Sequence, residues 1–383
     1  MSTSAQLRAT LASVLAEEGT LADPAWRDAA EAGPRELFVG SYFVQVPGSV
    51  PTRYRSVRRG EDRWLEGIYA DETLITQLDG RTRADDVGGD RAVVGSATSS
   101  STLPSLVLSM WQQLEVDGGQ RVLEVSTETG CSTALGAHRL GGDRLTSIEY
   151  DPVVGRAAAS ALAAAGYAPR LVVGDGLRGD PDASMGAYDR LIATCSVRYV
   201  PMAWLHQVKP GGRILVTLSG WSYASGLALL TVTGPGTATG RFLPGCTSFM
   251  IARPHDRPPR PTLALLPGEE RPSRIDPAVI GTWTGGWVAQ LAAPAAERMG
   301  AGPEQILWDV STGSQARTAL GPDGGWTVVQ RGPVRLWDRV EAAILLWHAA
   351  GEPHQEGFGI TVSAAGQRVW IGGEDGPGWD LPV

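Results

Sequence analysis

The sequence predicts an α/β fold, with a doubly wound, Rossmann-like sheet, a helical N-terminal cover and a separate, tryptophan-rich α+β domain at the C-terminal end. Strand-like and helix-like segments alternate from about residue 95 to residue 218, as they do in parallel sheets. Five prolines between Arg253 and Pro267 indicate a semi-rigid linker. Eight of the 13 tryptophans follow that linker, which is enough aromatic surface for a second core.

The first segment, residues 1–90, is expected to form the cover. Leu7, Leu11 and Leu15 recur at helical spacing. Asp23 before Pro24 is typical of a helix start, because the aspartate caps the free N–H groups and proline fits the first turn. Mixed strand-like and polar pieces follow from about residue 41.

The second segment, residues 91–252, carries the predicted sheet. Its expected strands, in chain order, are Arg121–Val125, Leu145–Glu149, Leu171–Val173, Tyr188–Ala193 and, after a turn at Lys209–Gly212, Arg213–Leu218. The alanine-rich run at 153–165 is expected to be a crossover helix. Hairpin-like material follows at Leu227–Thr233 and Gly240–Ile251.

The third and fourth segments are the linker, residues 253–267, and a C-terminal domain, residues 268–383. The stretch Gly357–Val362 and the stretch Arg368–Ile371 alternate like the two arms of a hairpin with a turn at Ala365–Gly366. A chain of 383 residues is long enough for this division, since one domain commonly takes about 150 residues.

Charge and cysteine content exclude several functional classes. The formal charge of −8 argues against a nucleic-acid binder, which needs a positive field. The three cysteines and five histidines lack the spacing of a metal site or a disulfide framework, so none is predicted. Without a targeting segment or an apolar run of about 18 residues, we expect a cytoplasmic protein that does not contact membranes.

Acidic side chains stand at successive strand ends of the predicted sheet. Glu124 precedes a turn at 126–130, Glu149 closes the next strand 25 residues later, and Asp175 follows the third strand. This layout is typical of nucleotide-type cofactor sites, with Glu149 in reach of a ribose diol and Asp175 in reach of an adenine amino group. The predicted cofactor-binding residues are Glu124, Ser126, Thr127, Glu128, Thr129, Gly130, Glu149, Tyr150, Asp175, Gly176 and Leu177.

Six pieces of the chain resemble the protein-L-isoaspartate O-methyltransferase family. They are Asp23–Phe38, Thr98–Pro104, Val122–Gly130, Gly174–Gly176, Tyr188–Asp189 and Lys209–Gly212. Four pieces resemble the branch of that family encoded with ATP-grasp peptide maturation systems, whose cross-linked peptides are called graspetides. They are the hydroxyl run at 98–102 with the Pro104–Ser105 that follows it, Ala193–Arg198, Gly240–Pro244 and Phe358–Val362.

The resemblance implies a Rossmann-like, SAM-dependent methyltransferase fold in which S-adenosylmethionine (SAM) is the methyl donor. It further implies an aspartate carboxylate of a modified, macrocyclic precursor peptide as acceptor, with aspartimide and then isoaspartate as products. A functional link to an ATP-grasp ligase follows, and the C-terminal domain is expected to help recognise the peptide.

The same resemblance implies a substrate site in the hydroxyl run at 98–102. In the family, a serine two positions before the proline contacts the substrate carboxylate, and Thr102 holds that place here, with Ser100 and Ser101 beside it as further catalytic candidates. Hydroxyl groups orient a carboxylate without strong charge pairing; the alternative is a flexible loop or a helix cap. The remaining predicted substrate contacts are Ser99, Arg53, Arg55, Thr194 and Cys195.

Two of those contacts have plainer alternatives. Arg53 and Arg55 belong to a cluster of four arginines within residues 53–59, which is also typical of a solvated hairpin face. Cys195 equally suits a small buried thiol.

The cofactor turn departs from the family pattern, because Ser126 and Glu128 occupy its first two glycine positions. Glu128 could repel the SAM carboxylate, turn outward or pair with the SAM ammonium. Three hypotheses therefore stand: a graspetide methyltransferase, a general isoaspartate-repair methyltransferase, and a peptide-binding protein with a degenerate SAM site.

Overall fold

The computed structural model describes residues 3–88, 90–259, 264–321 and 323–383, so residues 260–263 of the expected linker lie outside the described residues. The chain forms two compact units: Met1–Thr194 with His206–Leu215, and Cys195–Leu205 with Val216–Val383. The four segment boundaries expected from the sequence remain predictions.

The helices and strands are numbered in chain order. The helices are α1 Ser4–Glu17, α2 Pro24–Ala32, α3 Arg35–Phe38, α4 Trp64–Ile68, α5 Pro104–Gln113, α6 Cys131–Leu140, α7 Pro152–Ala164, α8 Met202–Gln207, α9 Trp283–Ala292 and α10 Leu336–Ala349. The strands are β1 Ser41–Gln45, β2 Arg53–Arg58, β3 Leu74–Leu78, β4 Thr82–Arg83, β5 Ala92–Val94, β6 Ala97–Ser101, β7 Val122–Val125, β8 Leu145–Glu149, β9 Arg170–Val173, β10 Tyr188–Val197, β11 Val208–Ser219, β12 Ser225–Gly234, β13 Thr237–Phe242, β14 Glu269–Pro272, β15 Ala296–Ala301, β16 Glu304–Asp309, β17 Gln315–Leu320, β18 Trp326–Arg331, β19 Phe358–Ser363, β20 Gly366–Ile371 and β21 Gly378–Asp380.

The first unit contains the predicted parallel sheet. Its strands lie in the order β10-β7-β8-β9, and each neighbouring pair is parallel. All residues of β7 and β8 are buried, as expected for strands covered on both faces. The Rossmann-like fold predicted from the alternation is therefore confirmed at this sheet.

A second sheet of the first unit follows the N-terminal helices. Strands β4, β3, β1, β2 and β5 are neighbours in that order, and β6 pairs with β3. Asp23 caps α2 as predicted, with its side chain accepting the N–H of Ala25. Residues Thr98–Ser101 of the hydroxyl run lie in strand β6, because Leu74, Ile75 and neighbouring residues of β3 pair with it, and Thr102 directly follows the strand.

The second unit contains antiparallel sheets and two packed helices. Strands β12, β13, β19, β20 and β21 are neighbours in that order, as are β14, β18, β17, β16 and β15, and α9 packs against α10. The predicted hairpin is confirmed, with its turn one residue earlier than expected, since Ser363 pairs with Gly366 and leaves Ala364 and Ala365 as the turn. Trp287 and Trp337 are almost completely buried and form part of the core of this unit.

One predicted turn is wrong. Lys209–Gly212 was expected to precede a strand, but β11 already begins at Val208. Within this extended segment Gly211 has a φ of +80°, which glycine tolerates without strain.

Candidate active site

The backbone of the cofactor turn has positive φ angles, which glycine favours, although two of the three positions are not glycine. It joins β7 to α6, and φ is +82° at Ser126, +50° at Glu128 and +88° at Gly130. For a residue with a side chain this conformation costs roughly 1–2 kcal/mol. The turn therefore keeps positive φ values at all three family glycine positions, and other contacts must hold it in place.

Four hydrogen bonds supply those contacts. The N–H groups of Ser126 and Thr127 donate to the carbonyl of Ile148 at 2.9 and 3.2 Å. The hydroxyl of Thr194 donates to the carbonyl of Ser126 at 2.6 Å. The N–H of Glu128 donates to the Glu149 carboxylate at 2.8 Å. Thr194, predicted as a substrate contact, thus binds the turn, while Glu149 connects the end of β8 to it.

Glu124 lies beneath the turn in a completely buried position. Its carboxylate accepts hydrogen bonds from the hydroxyls of Ser132 at 2.6 Å, Thr133 at 2.5 Å and Ser147 at 2.8 Å. Burial raises the pKa of Glu124, and the three hydroxyls oppose that rise. Glu124 lines neither of the cavities described below, so what the structure shows for it is an anchor for the first turn of α6.

The residues expected around an adenosine follow β8 and β9. Asp175 is half-buried and accepts the N–H of Leu177 at 3.0 Å. Gly176 has room for hydrogen only, because a Cβ there would lie 2.6 Å from the Val125 side chain. Tyr150 is exposed. These residues and Glu149 stand at carboxyl ends of parallel strands, where open α/β sheets bind ligands.

Strand β6 presents the hydroxyl run from a buried position. Ser99, Ser100 and Ser101 are each less than 5% exposed, and Thr102 follows them half-buried. A buried strand holds hydroxyl groups in fixed directions, which a flexible loop would not do. The run is therefore suited to orienting a ligand.

Arg35 secures the end of this run and was missed by the sequence analysis. It is 3% exposed, and burial lowers its pKa. The five N–H groups of its guanidinium reach six acceptors at 2.8–3.2 Å, the Ser101 hydroxyl and the carbonyls of Ile68, Ala70, Glu72, Ser101 and Thr102, so two of these acceptors share one N–H. The residue lies in the Asp23–Phe38 piece quoted above, but its partners are 33–67 positions away, so no local pattern marks it.

The first cavity, of about 700 Å³, brings the hydroxyl run and the cofactor turn together. Ser100–Thr102, Ser126–Thr129 and Thr194 all line it. Helices contribute an apolar wall of Leu11, Leu15, Val107, Leu108 and Leu135. The predicted catalytic hydroxyls and the cofactor turn thus line one cavity, whereas Glu149 and Asp175 line neither of the two cavities.

The second cavity, of about 720 Å³, is more polar. Its lining includes Arg59, Arg83, Gln77 and Ser99, and it shares Glu128 and Thr129 with the first cavity. The Arg59 guanidinium lies 5.0 Å from the centre of the Trp64 ring, and Arg83 pairs with Asp85 at 2.8 Å.

The structure does not place every predicted substrate contact at these cavities. Arg53 and Arg55 are exposed on β2 and line neither cavity, because the alternation of the strand buries Tyr54 and Ser56 instead. Arg59, from the same cluster, lines the second cavity. Cys195 is buried and belongs to the second unit, as the plainer interpretation of a small thiol expects.

Glu128 stands where both cavities meet. Its carboxyl Oε2 accepts the backbone N–H of Ser100 at 2.8 Å and lies 3.4 Å from the Ser100 hydroxyl, while Oε1 accepts the Ser126 hydroxyl at 3.3 Å. Burial raises the pKa of Glu128 to about 8, with a smaller raising effect of the nearby Glu149, although hydrogen bonds from Ser100 and Ser126 act in the other direction. The side chain is thus turned toward the hydroxyl run.

Metal-binding clusters and membrane-spanning helices are both absent from the described residues. No group of three or more His, Cys, Asp or Glu side chains among them could hold a metal ion. No helix in the described ranges combines the length and apolar character needed to cross a membrane.

Comparison with known proteins gives consistent matches. The family model "Protein-L-isoaspartate(D-aspartate) O-methyltransferase (PCMT)" matches residues 87–230. A protein-L-isoaspartate O-methyltransferase of Thermococcus onnurineus is 28% identical over 202 residues, which are 52% of this chain and 80% of that protein. Protein-L-isoaspartate O-methyltransferase 1 of Anaeromyxobacter sp. is 34% identical over 151 residues, 39% of this chain and 68% of that protein.

Some other curated relatives of the same name are matched over 53–58% of their length, so the chain spans little more than half of them. A solved structure of a protein-L-isoaspartate O-methyltransferase superposes with a TM-score of 0.56 over 95% of this chain and 99% of that one. At 18% identity, this likeness shows a shared fold.

Proposed function

Since the chain belongs to the protein-L-isoaspartate O-methyltransferase family, a family of SAM-dependent carboxyl methyltransferases, we propose that it methylates an aspartate side chain of a cross-linked, ribosomally made peptide, a graspetide. The observation that carries the methyl-transfer part is the first cavity, which joins the hydroxyl run Ser100–Thr102 to the cofactor turn. The substrate class is the finer part of the proposal and has separate support.

The residues present fit SAM. The turn has the positive φ values that a glycine-rich cofactor loop requires, although serine and glutamate stand at two of the positions. Glu149 would hold the ribose and Asp175 the adenine. Gly176 has no side chain, and a Cβ at this position would lie only 2.6 Å from the Val125 side chain. When bound, SAM supplies an electrophilic methyl group on a sulfonium.

The chain itself has to align the acceptor and exclude water. An aspartate carboxylate is ionised at neutral pH, with a reference pKa of about 4, so no general base is needed. Hydroxyls of the buried strand β6 would orient one carboxylate oxygen toward the methyl group, with the apolar wall of Leu11, Leu15 and Leu108 limiting access of water. Arg35 acts as a positioning residue, because it fixes the Ser101 and Thr102 backbone.

The ester product is set up for a second step. The amide nitrogen that follows the methylated aspartate can attack the ester carbonyl, lose its proton and expel methanol, which leaves a five-membered aspartimide. Hydrolysis of that ring gives aspartate or isoaspartate. This step needs no further group from the protein.

The graspetide proposal is supported by the pieces that resemble that branch. Two of them, Gly240–Pro244 and Phe358–Val362, are neighbours in the second unit, where Gly240 pairs with Ile360 and Arg241 with Gly359 on strands β13 and β19. An ATP-grasp ligase would form the cross-links of the peptide before methylation.

One observation favours general isoaspartate repair as a second candidate. The fold likeness to a solved protein-L-isoaspartate O-methyltransferase extends over 95% of this chain, so the fold of the C-terminal unit is not in itself a mark of peptide maturation. The first unit alone contains both cavities.

Mass spectrometry separates the two candidates. The protein is incubated with SAM and either the cyclised precursor peptide or an isoaspartyl test peptide. A gain of one methyl group on the cyclised precursor alone supports maturation, and a gain on the isoaspartyl peptide alone refutes it in favour of repair. Calorimetric titration with SAM tests both: no binding, with no recovery in Glu128→Gly, would leave a peptide-binding protein.

A further inference from the structure

The carboxyl group of Glu128 is held by donors that suit a substrate carboxylate. The backbone N–H of Ser100 donates to it at 2.8 Å, and the Ser100 hydroxyl lies 3.4 Å away. Under the proposed function, the same strand must donate hydrogen bonds to the acceptor aspartate. The chain therefore offers its own carboxyl group to donors that the acceptor would use.

We propose that Glu128 determines substrate specificity by occupying the Ser100 donors until the acceptor carboxylate of a peptide displaces it. This inference rests on the proposed function and names a residue that selects among its substrates. A peptide whose only contact is the acceptor carboxylate replaces the Glu128 carboxyl group at the Ser100 donors without gaining further contacts. A peptide with additional contacts binds despite the exchange.

The side chain is held weakly enough to be displaced. Only one of its three hydrogen bonds is short, while the other two are 3.3 and 3.4 Å long. Burial, and after it the nearby Glu149, raises the pKa of Glu128 to about 8, which shows that the ionised group is poorly compensated at this place. The protonated form present near neutral pH does not repel an incoming carboxylate.

The second cavity indicates what the additional contacts are. Arg59 and Arg83 line it together with Gln77 and Ser99, and Glu128 is part of the same wall. Arg59 rests on Trp64, and Arg83 pairs with the half-exposed Asp85. A second carboxylate on the peptide, close to the acceptor, could pair with either guanidinium. The preferred substrate is therefore an acidic peptide with a carboxylate besides the acceptor.

Glu128→Gly is the direct test, because glycine accepts the φ of +50° without strain. Glu352→Gly is the matched control: this exposed glutamate of the second unit has a φ of +53°. The probes are two acetylated and amidated peptides, one with a single aspartate and one with a second aspartate beside it. Their dissociation constants are measured by calorimetry in the presence of S-adenosylhomocysteine, so turnover is not required.

We expect Glu128→Gly to bind the single-aspartate peptide about tenfold more tightly than the unmodified protein does, since the Ser100 donors no longer have to be vacated. The advantage of the second aspartate remains, and Glu352→Gly changes neither constant. Glu128→Gln, which keeps the volume of the side chain and an acceptor oxygen, gives an intermediate value and serves if the glycine variant is unstable.

Unchanged or weaker binding of the single-aspartate peptide by Glu128→Gly overturns the inference. Methyl transfer without this change in affinity leaves the proposed function intact and removes Glu128 as a specificity determinant. Tighter binding without any methyl transfer has the opposite meaning: the Ser100 donors bind carboxylates, but the chain is not a methyltransferase for them.

Discussion

Replacing Arg35 with lysine tests whether one buried side chain holds the hydroxyl run in place. The guanidinium of Arg35 satisfies six acceptors, five of them backbone carbonyls. The arginine guanidinium has five N–H donors and a lysine ammonium has three, so the substitution removes two N–H donors. At about 1.5 kcal/mol for each hydrogen bond to a charged group, Arg35→Lys should lower the free energy of unfolding by about 3 kcal/mol.

Urea denaturation followed by tryptophan fluorescence measures that change, and methyl-transfer assays on the folded fraction measure its effect on catalysis. Arg53→Lys is the matched control, because Arg53 is exposed on β2, and we expect a change within about 0.5 kcal/mol. If Arg35→Lys destabilises the protein by less than about 1 kcal/mol, the six hydrogen bonds do not have the role assigned to them.

Three further predictions concern the cavities and the cofactor site. Thr102→Val should lower kcat about tenfold while the SAM dissociation constant stays within about twofold, because it removes a substrate contact beside an intact turn; equal losses in kinetics and SAM calorimetry would refute the assignment. Asp175→Ala should raise the SAM dissociation constant about tenfold. It should also lower the free energy of unfolding by about 1 kcal/mol, because the hydrogen bond from the Leu177 N–H is lost. An unchanged SAM dissociation constant in calorimetry would exclude Asp175 from the adenine site. The pKa of Glu128 is raised to about 8 in the folded protein, so the folded state keeps a proton that the unfolded state has lost. Stability therefore falls as pH rises from about 5 to about 8, by up to about 1.4 kcal/mol per pH unit. Thermal denaturation of Glu128→Gln should show a shallower dependence of stability on pH over that interval, and an identical dependence would show that Glu128 titrates normally.

The sequence predicted the parallel sheet well because its strands are buried on both faces. Leu145–Glu149 has the predicted bounds, and Val122–Val125 differs by one residue. Such strands appear as short apolar runs between turns and helices, and the signal is local. The helix start at Asp23 was predictable for the same reason, since a cap acts on residues two positions away.

The arrangement of the candidate site was less predictable because it depends on distant contacts. A run of serines has no strand pattern of its own, and β6 forms through pairing with β3 some 20 residues earlier. The direction of the Glu128 side chain was left open between three possibilities, and it is decided by Ser100, 28 positions away. The prediction that Arg53 and Arg55 contact substrate rested on their proximity in sequence, which cannot tell the two faces of a strand apart.

The position of Arg35 bears on how far the chain can be shortened. The family model matches residues 87–230, whereas Arg35 and the strand that pairs with the hydroxyl run, Leu74–Leu78, precede that stretch. Under the proposed function, a minimal protein cut to residues 87–230 would retain the cofactor turn but lose Arg35 and the strand that pairs with the hydroxyl run. Such a protein would therefore lack the contacts that hold the proposed acceptor site in place.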